Sequence, residues 1–422
     1  MIGLVKFELK KIVARKSTRY TCVAVIVLLC LIMAANVLQT KTTSNTDELL
    51  TGFDAIHQKQ ENAAPHAGAL TDERLAEELS SYYERAFVEL DPDEIATMSD
   101  AASYDAVMSA YGIEGAHELY GSGYWPWLFG AWNTDGKDVV QMSAILGPAP
   151  EVSFYDALAL KTQAILDDGQ GGSWTYSDAE RSYWTQKQAE VREPIVYGYA
   201  GGWDNIMDCT AFLAFAIIAV CVALAPMFAA EYQDRTDSVI LSSRYGRSKL
   251  VAAKLVAAFL FTTAYFAICA AIICAVSLVA YGADGADLPI QVMALSSPYA
   301  ITMAQGAAIM MGLACLMTLG FAGLTLLLSS KLRSLLSIFA IDVALVLLTG
   351  MIPTGGSGIL VHISVLFPTS GLVAPYLFWN YLSYPIGGFV TDLIGMQAFV
   401  YGVLFAACLP LAALFFRRHQ VA

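Results

Sequence analysis

The sequence predicts an all-α polytopic membrane protein. It has six transmembrane helices, an N-terminal interfacial amphipathic helix and a mainly helical extracytoplasmic domain. Three observations predict this class. The 422 residues are 57% hydrophobic and only 14% charged, where a soluble chain carries roughly a quarter charged residues. The charges crowd into residues 1–19, 41–208 and 231–254 and leave the remainder nearly empty of them. Six apolar segments reach the ~20 residues that cross ~30 Å of hydrocarbon.

Residues 1–18 form the first element, an elbow helix. In IGLVKFELKKIVARK, Ile2, Val5, Leu9, Ile12 and Val13 recur at three- and four-residue spacing beside Lys6, Lys10 and Lys11. That pattern suits a helix with one side in lipid and its lysines toward anionic headgroups. Arg15–Arg19 then turns the chain into the first span, Tyr20–Gln39 within residues 19–40. This apolar run is long for a signal peptide and no A-x-A-like site follows it, so an anchored span is the better reading.

Residues 41–208 are polar, acidic and aromatic-rich, and they hold no cysteine. Asp91-Pro92-Asp93-Glu94 is a helix start, with Asp as N-cap and Pro in the first helical position. Ser177-Asp178-Ala179-Glu180 is a capping box. Glu73–Leu90 and Phe154–Leu166 carry helical apolar spacing, and glycine-rich breaks fall at Gly169–Gly172 and Gly198–Gly202. The run Tyr124-Trp125-Pro126-Trp127-Leu128-Phe129 packs in the domain core, on the bilayer surface or against a substrate or partner; the sequence leaves these open. His57, His66 and His117 form no metal spacing, and the GxSxG and HExxH patterns are absent.

Five further spans follow in residues 209–422: Cys209–Ala230, Leu255–Gly282, Tyr299–Leu328, Ser334–Ile352 and Leu393–Phe416. The eight cysteines all fall in or beside the six apolar segments, Cys22 and Cys30 in the first, which reads as packing rather than disulfide or metal chemistry. Fifteen Lys and Arg residues lie in the N-terminus, residues 231–254, 331–333 and the tail, while loops 283–298 and 353–392 have none. The positive-inside rule then puts both termini in the cytoplasm and residues 41–208 outside the cell membrane. Gly358–Asn380 is apolar enough for a seventh span. Pro368 and Pro375 interrupt it, so residues 357–391 read as a re-entrant extracytoplasmic element.

Residues 231–249, directly after the second span, carry the functional signal. Val239, Ile240 and Leu241 make an apolar ridge framed by Glu231, Arg235, Arg244 and Arg247, with Thr236 and Ser242 between. Such an element is shaped to seat in a groove of another protein. The segment resembles the coupling-helix region of ABC-2-type transporter permeases. Glu231, Thr236, Ile240-Leu241-Ser242, Gly246-Arg247 and Lys254 take the places of that family's Glu, Gly-Thr, LLS-like run, Ser-Arg and Lys. Arg235 stands where Gly is common, and the proline often seen after the LLS run is missing. Phe7-Glu8-Leu9-Lys10-Lys11 resembles the family's elbow, and Leu326–Arg333 its junction between fourth and fifth spans.

The resemblance implies a non-catalytic permease working with an ABC ATPase and with a second permease subunit as a homo- or heterodimer. No GxxxxGK[ST] occurs, so the chain is expected to bind no cofactor itself and to use ATP through the partner. Export of a hydrophobic, peptide or drug-like substrate is the expected direction. Nothing points to nucleic acid; the lipid bilayer is the other partner. Asp342 is the candidate intramembrane functional acid. Pairing with Lys254 or Arg333, or a protonated buried state, are its structural alternatives. Gly306, Gly312, Gly320 and Gly323 are expected to let helices approach the fourth span closely. The rival class is a membrane sensor or envelope-remodelling protein acting through the insert, with or without an ATPase. A membrane enzyme would need clustered polar residues, but Asp284, Asp287 and Asp392 are scattered. A secondary transporter would show internal repeats.

Overall fold

The computed structural model describes residues 1–44, 48–121, 123–236, 248–347 and 358–418, without the side chains of residues 170, 171 and 418. The chain opens with the helix Ile2–Ala14, breaks where Arg15 turns extended (φ −66°, ψ 132°), and continues as Lys16–Gln39. The elbow packs on the third span through Glu8 and Ile12, which are buried, while Ile2, Phe7 and Val13 stay exposed. Its apolar side is therefore shared between protein and the surrounding medium.

Among the described residues, five helices are long and apolar enough to cross a membrane: Lys16–Gln39, Gly201–Gln233, Lys249–Tyr281, Met303–Lys331 and Leu393–Arg417. The second and third run 33 residues each, which at ~1.5 Å per residue exceeds the hydrocarbon thickness. A shorter apolar helix, Leu335–Leu347, stands where the fifth span is expected; residues 348–352 of that expected span lie outside the described residues. The apolar window of the second helix is 72% buried, against 22% for the first and the last, so it forms the centre of the bundle. It starts at Gly201, ahead of the expected Cys209.

The fourth and last spans make the most extensive helix pair. A Cβ on Gly320 would sit 2.9 Å from the Tyr401 ring, and one on Gly323 would sit 3.3 Å from Cys408 Cβ. Absent side chains at these two positions let the helices close. Gly306 faces Ile290 in the same way, but a Cβ on Gly312 would have nothing within 4 Å among the described residues.

The insert is helical with short antiparallel pairs, Lys41–Thr43 with Leu49–Thr51 and Gly68–Ala69 with Val196–Tyr197. The Asp91 carboxylate caps Pro92–Thr97, and the Ser177–Glu180 box caps Asp178–Ala189. Asp72–Ala86 ends short of Leu90; Phe154–Gly172 runs on into the glycine-rich stretch, where Gly169 and Gly172 take φ of +60° and +74°. Tyr124, Trp125, Leu128 and Phe129 are buried in the insert's own core, with Trp125 4.6 Å from the Tyr82 ring. Core packing is thus the placement of this aromatic run.

Leu166, Tyr176 and Trp184 leave that core and join the core of the bundle. They meet residues 358–392, which form the short helices Gly358–Ser364, Pro368–Gly371 and Ala374–Phe378 and then a hairpin of Ser383–Ile386 with Phe389–Asp392. Gly387 and Gly388, at φ +56° and +87°, make its two-residue turn, a geometry L-residues with side chains resist. Trp174 stacks on His362 at 3.8 Å, and the Tyr176 hydroxyl donates to the Tyr381 carbonyl at 2.7 Å. Lys187 donates to Asp392 at 2.7 Å, and Tyr299 donates to the same oxygen at 3.1 Å. Burial pushes the Asp392 carboxyl up, but Lys187 and the donated hydrogen bonds outweigh it and hold the group below its usual range.

Candidate functional site

The second span does not reach its end as one unbroken helix. Ala214–Leu224 stops and Pro226–Gln233 begins. Proline lacks an N–H and crowds the preceding turn, and freed backbone groups at membrane depth need other partners. Three different elements supply them. Ser329 of the fourth span donates to the Ala225 carbonyl at 2.7 Å and accepts from the Phe228 and Ala229 N–H groups at 3.0 Å each. Arg15, between elbow and first span, donates to the Pro226 carbonyl at 3.3 Å. Lys254 of the third span donates to the Met227 carbonyl at 3.0 Å.

One turn further on, the same segment holds a buried charge cluster. Lys254 Nζ lies 3.2 Å from Glu8 Oε2 of the elbow, and both residues are almost fully enclosed. It also pairs with Glu231, whose Oε1 takes a second contact from Lys11 at 3.4 Å. Two cations thus face two carboxylates, although Glu231 Oε2 is buried with no hydrogen-bond partner among the described residues. Tyr232 donates to the Ser330 carbonyl at 3.0 Å, and Gln233 to the Arg333 carbonyl at 2.8 Å. The end of the second span is therefore gripped by the elbow and by spans three and four.

The helix closes with the Thr236 N–H donating back to the Glu231 carbonyl at 3.0 Å, across Arg235 at φ +54°. This is the six-to-one bond of a helix C-terminal cap, whose left-handed position favours glycine. Of the candidate coupling residues, Glu231 faces inward to Lys254, while Arg235 and Thr236 are exposed. Val239, Ile240, Leu241, Ser242, Arg244 and Arg247 lie outside the described residues.

Asp342 is 1% exposed and accepts a hydrogen bond from Thr325 at 2.9 Å. Its Oδ1 is buried with no partner among the described residues. The expected pairing with Lys254 or Arg333 does not occur, because Lys254 is bound by Glu231 and Glu8 and Arg333 is exposed. Asn36 accepts from the Tyr281 hydroxyl at 2.9 Å, and Gln305 closes a capping box with Thr302.

Sequence reasoning missed Glu8 and Lys254 as members of one site. One signal was present: Glu8 falls on the helix face of Val5, Leu9 and Ile12, and a carboxylate on an apolar face needs a buried partner.

A bundle of apolar helices with a charge-clasped inner end defines a multi-pass membrane protein. The chain belongs to the ABC-2 transporter family: the family model described as ABC-2 family transporter protein matches residues 3–385. It is thus a membrane component of a transporter, of a family that in general works with an ABC ATPase. No curated protein matches it.

Proposed function

We propose that the chain is the membrane-spanning permease subunit of an ATP-driven exporter. It moves a hydrophobic, peptide or drug-like substrate and is driven by a separate ABC ATPase acting on residues 231–249. The observation that carries this reading is the grip on Pro226–Arg235. A push on the chain beyond Thr236 is delivered to a helix end whose carbonyls are held by Ser329, Arg15 and Lys254. The displacement then passes at once to spans one, three and four. The Lys254 contacts to Glu8 and Glu231 tie the same helix end to the elbow and the third span.

The basic residues at the elbow end of the bundle support a cytoplasmic placement of both termini in the cell membrane, with the insert outside. A second permease subunit, identical or different, completes the pathway. ATP is bound by the ATPase and not by this chain. The test is co-purification with an ABC ATPase partner. Ile240→Asp with Leu241→Asp should abolish association while the chain still inserts in the membrane. Association that survives this double change contradicts the coupling role.

A further inference from the structure

Where the insert meets the outer ends of the first three spans, the protein forms an open cavity of about 650 Å³. That is the size of a drug-sized ligand site, which spans roughly 300–1,000 Å³. One wall carries Asp204 and Asp208, a helical turn apart at the start of the second span. Neither carboxylate has a hydrogen bond or salt bridge among the described residues. The lining also carries the aromatic residues Trp127, Tyr197 and Tyr199. The Tyr199 hydroxyl is shielded from solvent and has no hydrogen-bond partner among the described residues. Lys59 is the one basic residue in the lining.

We infer that this cavity binds an amphipathic organic cation, an amine or guanidinium carried on an aromatic or aliphatic body. The inference rests on the transport reading and names a substrate class for it. Two like charges on one helix face repel, and a cation between them removes that repulsion. Aromatic faces add cation–π attraction and cover the apolar body. The insert around the mouth, residues 41–208, holds 29 acidic against nine basic residues, a field that concentrates cations and repels anions. Lining residues Thr40, Asp204 and Tyr281 belong to the ends of spans one, two and three, so an occupant touches three of the helices that the clasped inner end also joins.

The test uses the full chain in nanodiscs without any ATPase. The probes are tetraphenylphosphonium and its anionic isostere tetraphenylborate, followed by tryptophan quenching against empty nanodiscs. Tetraphenylphosphonium should bind saturably, and Asp204→Asn with Asp208→Asn should weaken it by about tenfold or more. Lys59→Gln should tighten it about threefold. Tetraphenylborate should show only the linear partitioning of empty discs. Unchanged affinity in the double variant, or equal saturable binding of the borate, overturns the inference. Should the double variant fail to fold, Lys59→Gln decides, and unchanged affinity there overturns it as well. ATPase coupling is absent from this assay, so its failure and that of the transport reading are separate results.

Discussion

Lys254 Nζ lies 2.6 Å from Glu231 Oε1, and this pair ties the first turns of the third span to the last turn of the second. A buried pair gains little over an apolar replacement, yet leaving one partner alone is costly, by about 3–5 kcal/mol. Lys254→Met strands Glu8, leaves Glu231 only its longer contact to Lys11 at 3.4 Å, and should lower stability by that order. Adding Glu8→Gln and Glu231→Gln should recover most of it. Thermal unfolding of the purified protein in detergent checks both; an unchanged midpoint in Lys254→Met contradicts the clasp.

Arg235 holds a left-handed backbone, φ +54°, which costs an L-residue with a side chain about 1–2 kcal/mol. Arg235→Gly should therefore tighten the end of the second span and slow hydrogen exchange at the Thr236 amide. Faster exchange would show that the arginine side chain is worth more than the backbone strain.

Gly320 and Gly312 share a helix but not an environment. Gly320→Leu meets the Tyr401 ring, whereas Gly312→Leu meets open space. Overpacking costs about 1–3 kcal/mol, so only Gly320→Leu should lower the unfolding midpoint. Equal loss in both would place Gly312 against another subunit.

In the insert, burial raises the Glu78 carboxyl, but His66 at 3.9 Å and the hydrogen bonds donated by Tyr124 and Arg74 win, taking it down to about 2 from 4.5. The folded value lies below the free one. Its stabilising effect is therefore complete above about pH 4.5 and fades as the pH falls toward 2. Tryptophan fluorescence of the insert should show acid loosening in that window, and Glu78→Gln should remove the dependence. A titration identical in the variant contradicts the assignment.

Legibility in the sequence follows the range of the physics. Span lengths come from local apolar runs, and Asp91 and Ser177 caps from three- or four-residue patterns, so both could be read. The Glu8–Lys254–Glu231 cluster could not be assembled, because it joins positions far apart in the chain. Each of its members stood out singly, as a motif residue. The hairpin at Ser383–Asp392 was missed because its strands are four residues each, too short for alternation to stand out beside an apolar run. Asp342 gave its burial away, but its Thr325 partner depends on how two spans rotate against each other. Asp204 and Asp208 read as part of an acidic insert; only the helix starting at Gly201 puts them on one wall of a cavity.

The side of the membrane on which the clasped end opens is the most direct measure of the coupling reading. Arg244→Cys and Glu94→Cys variants can be treated in intact cells with a membrane-impermeant maleimide, with the parent chain as blank. Glu94→Cys should label at once and Arg244→Cys only after the membrane is permeabilised. Labelling of Arg244→Cys in intact cells would put residues 231–249 outside, beyond reach of any cytoplasmic ATPase.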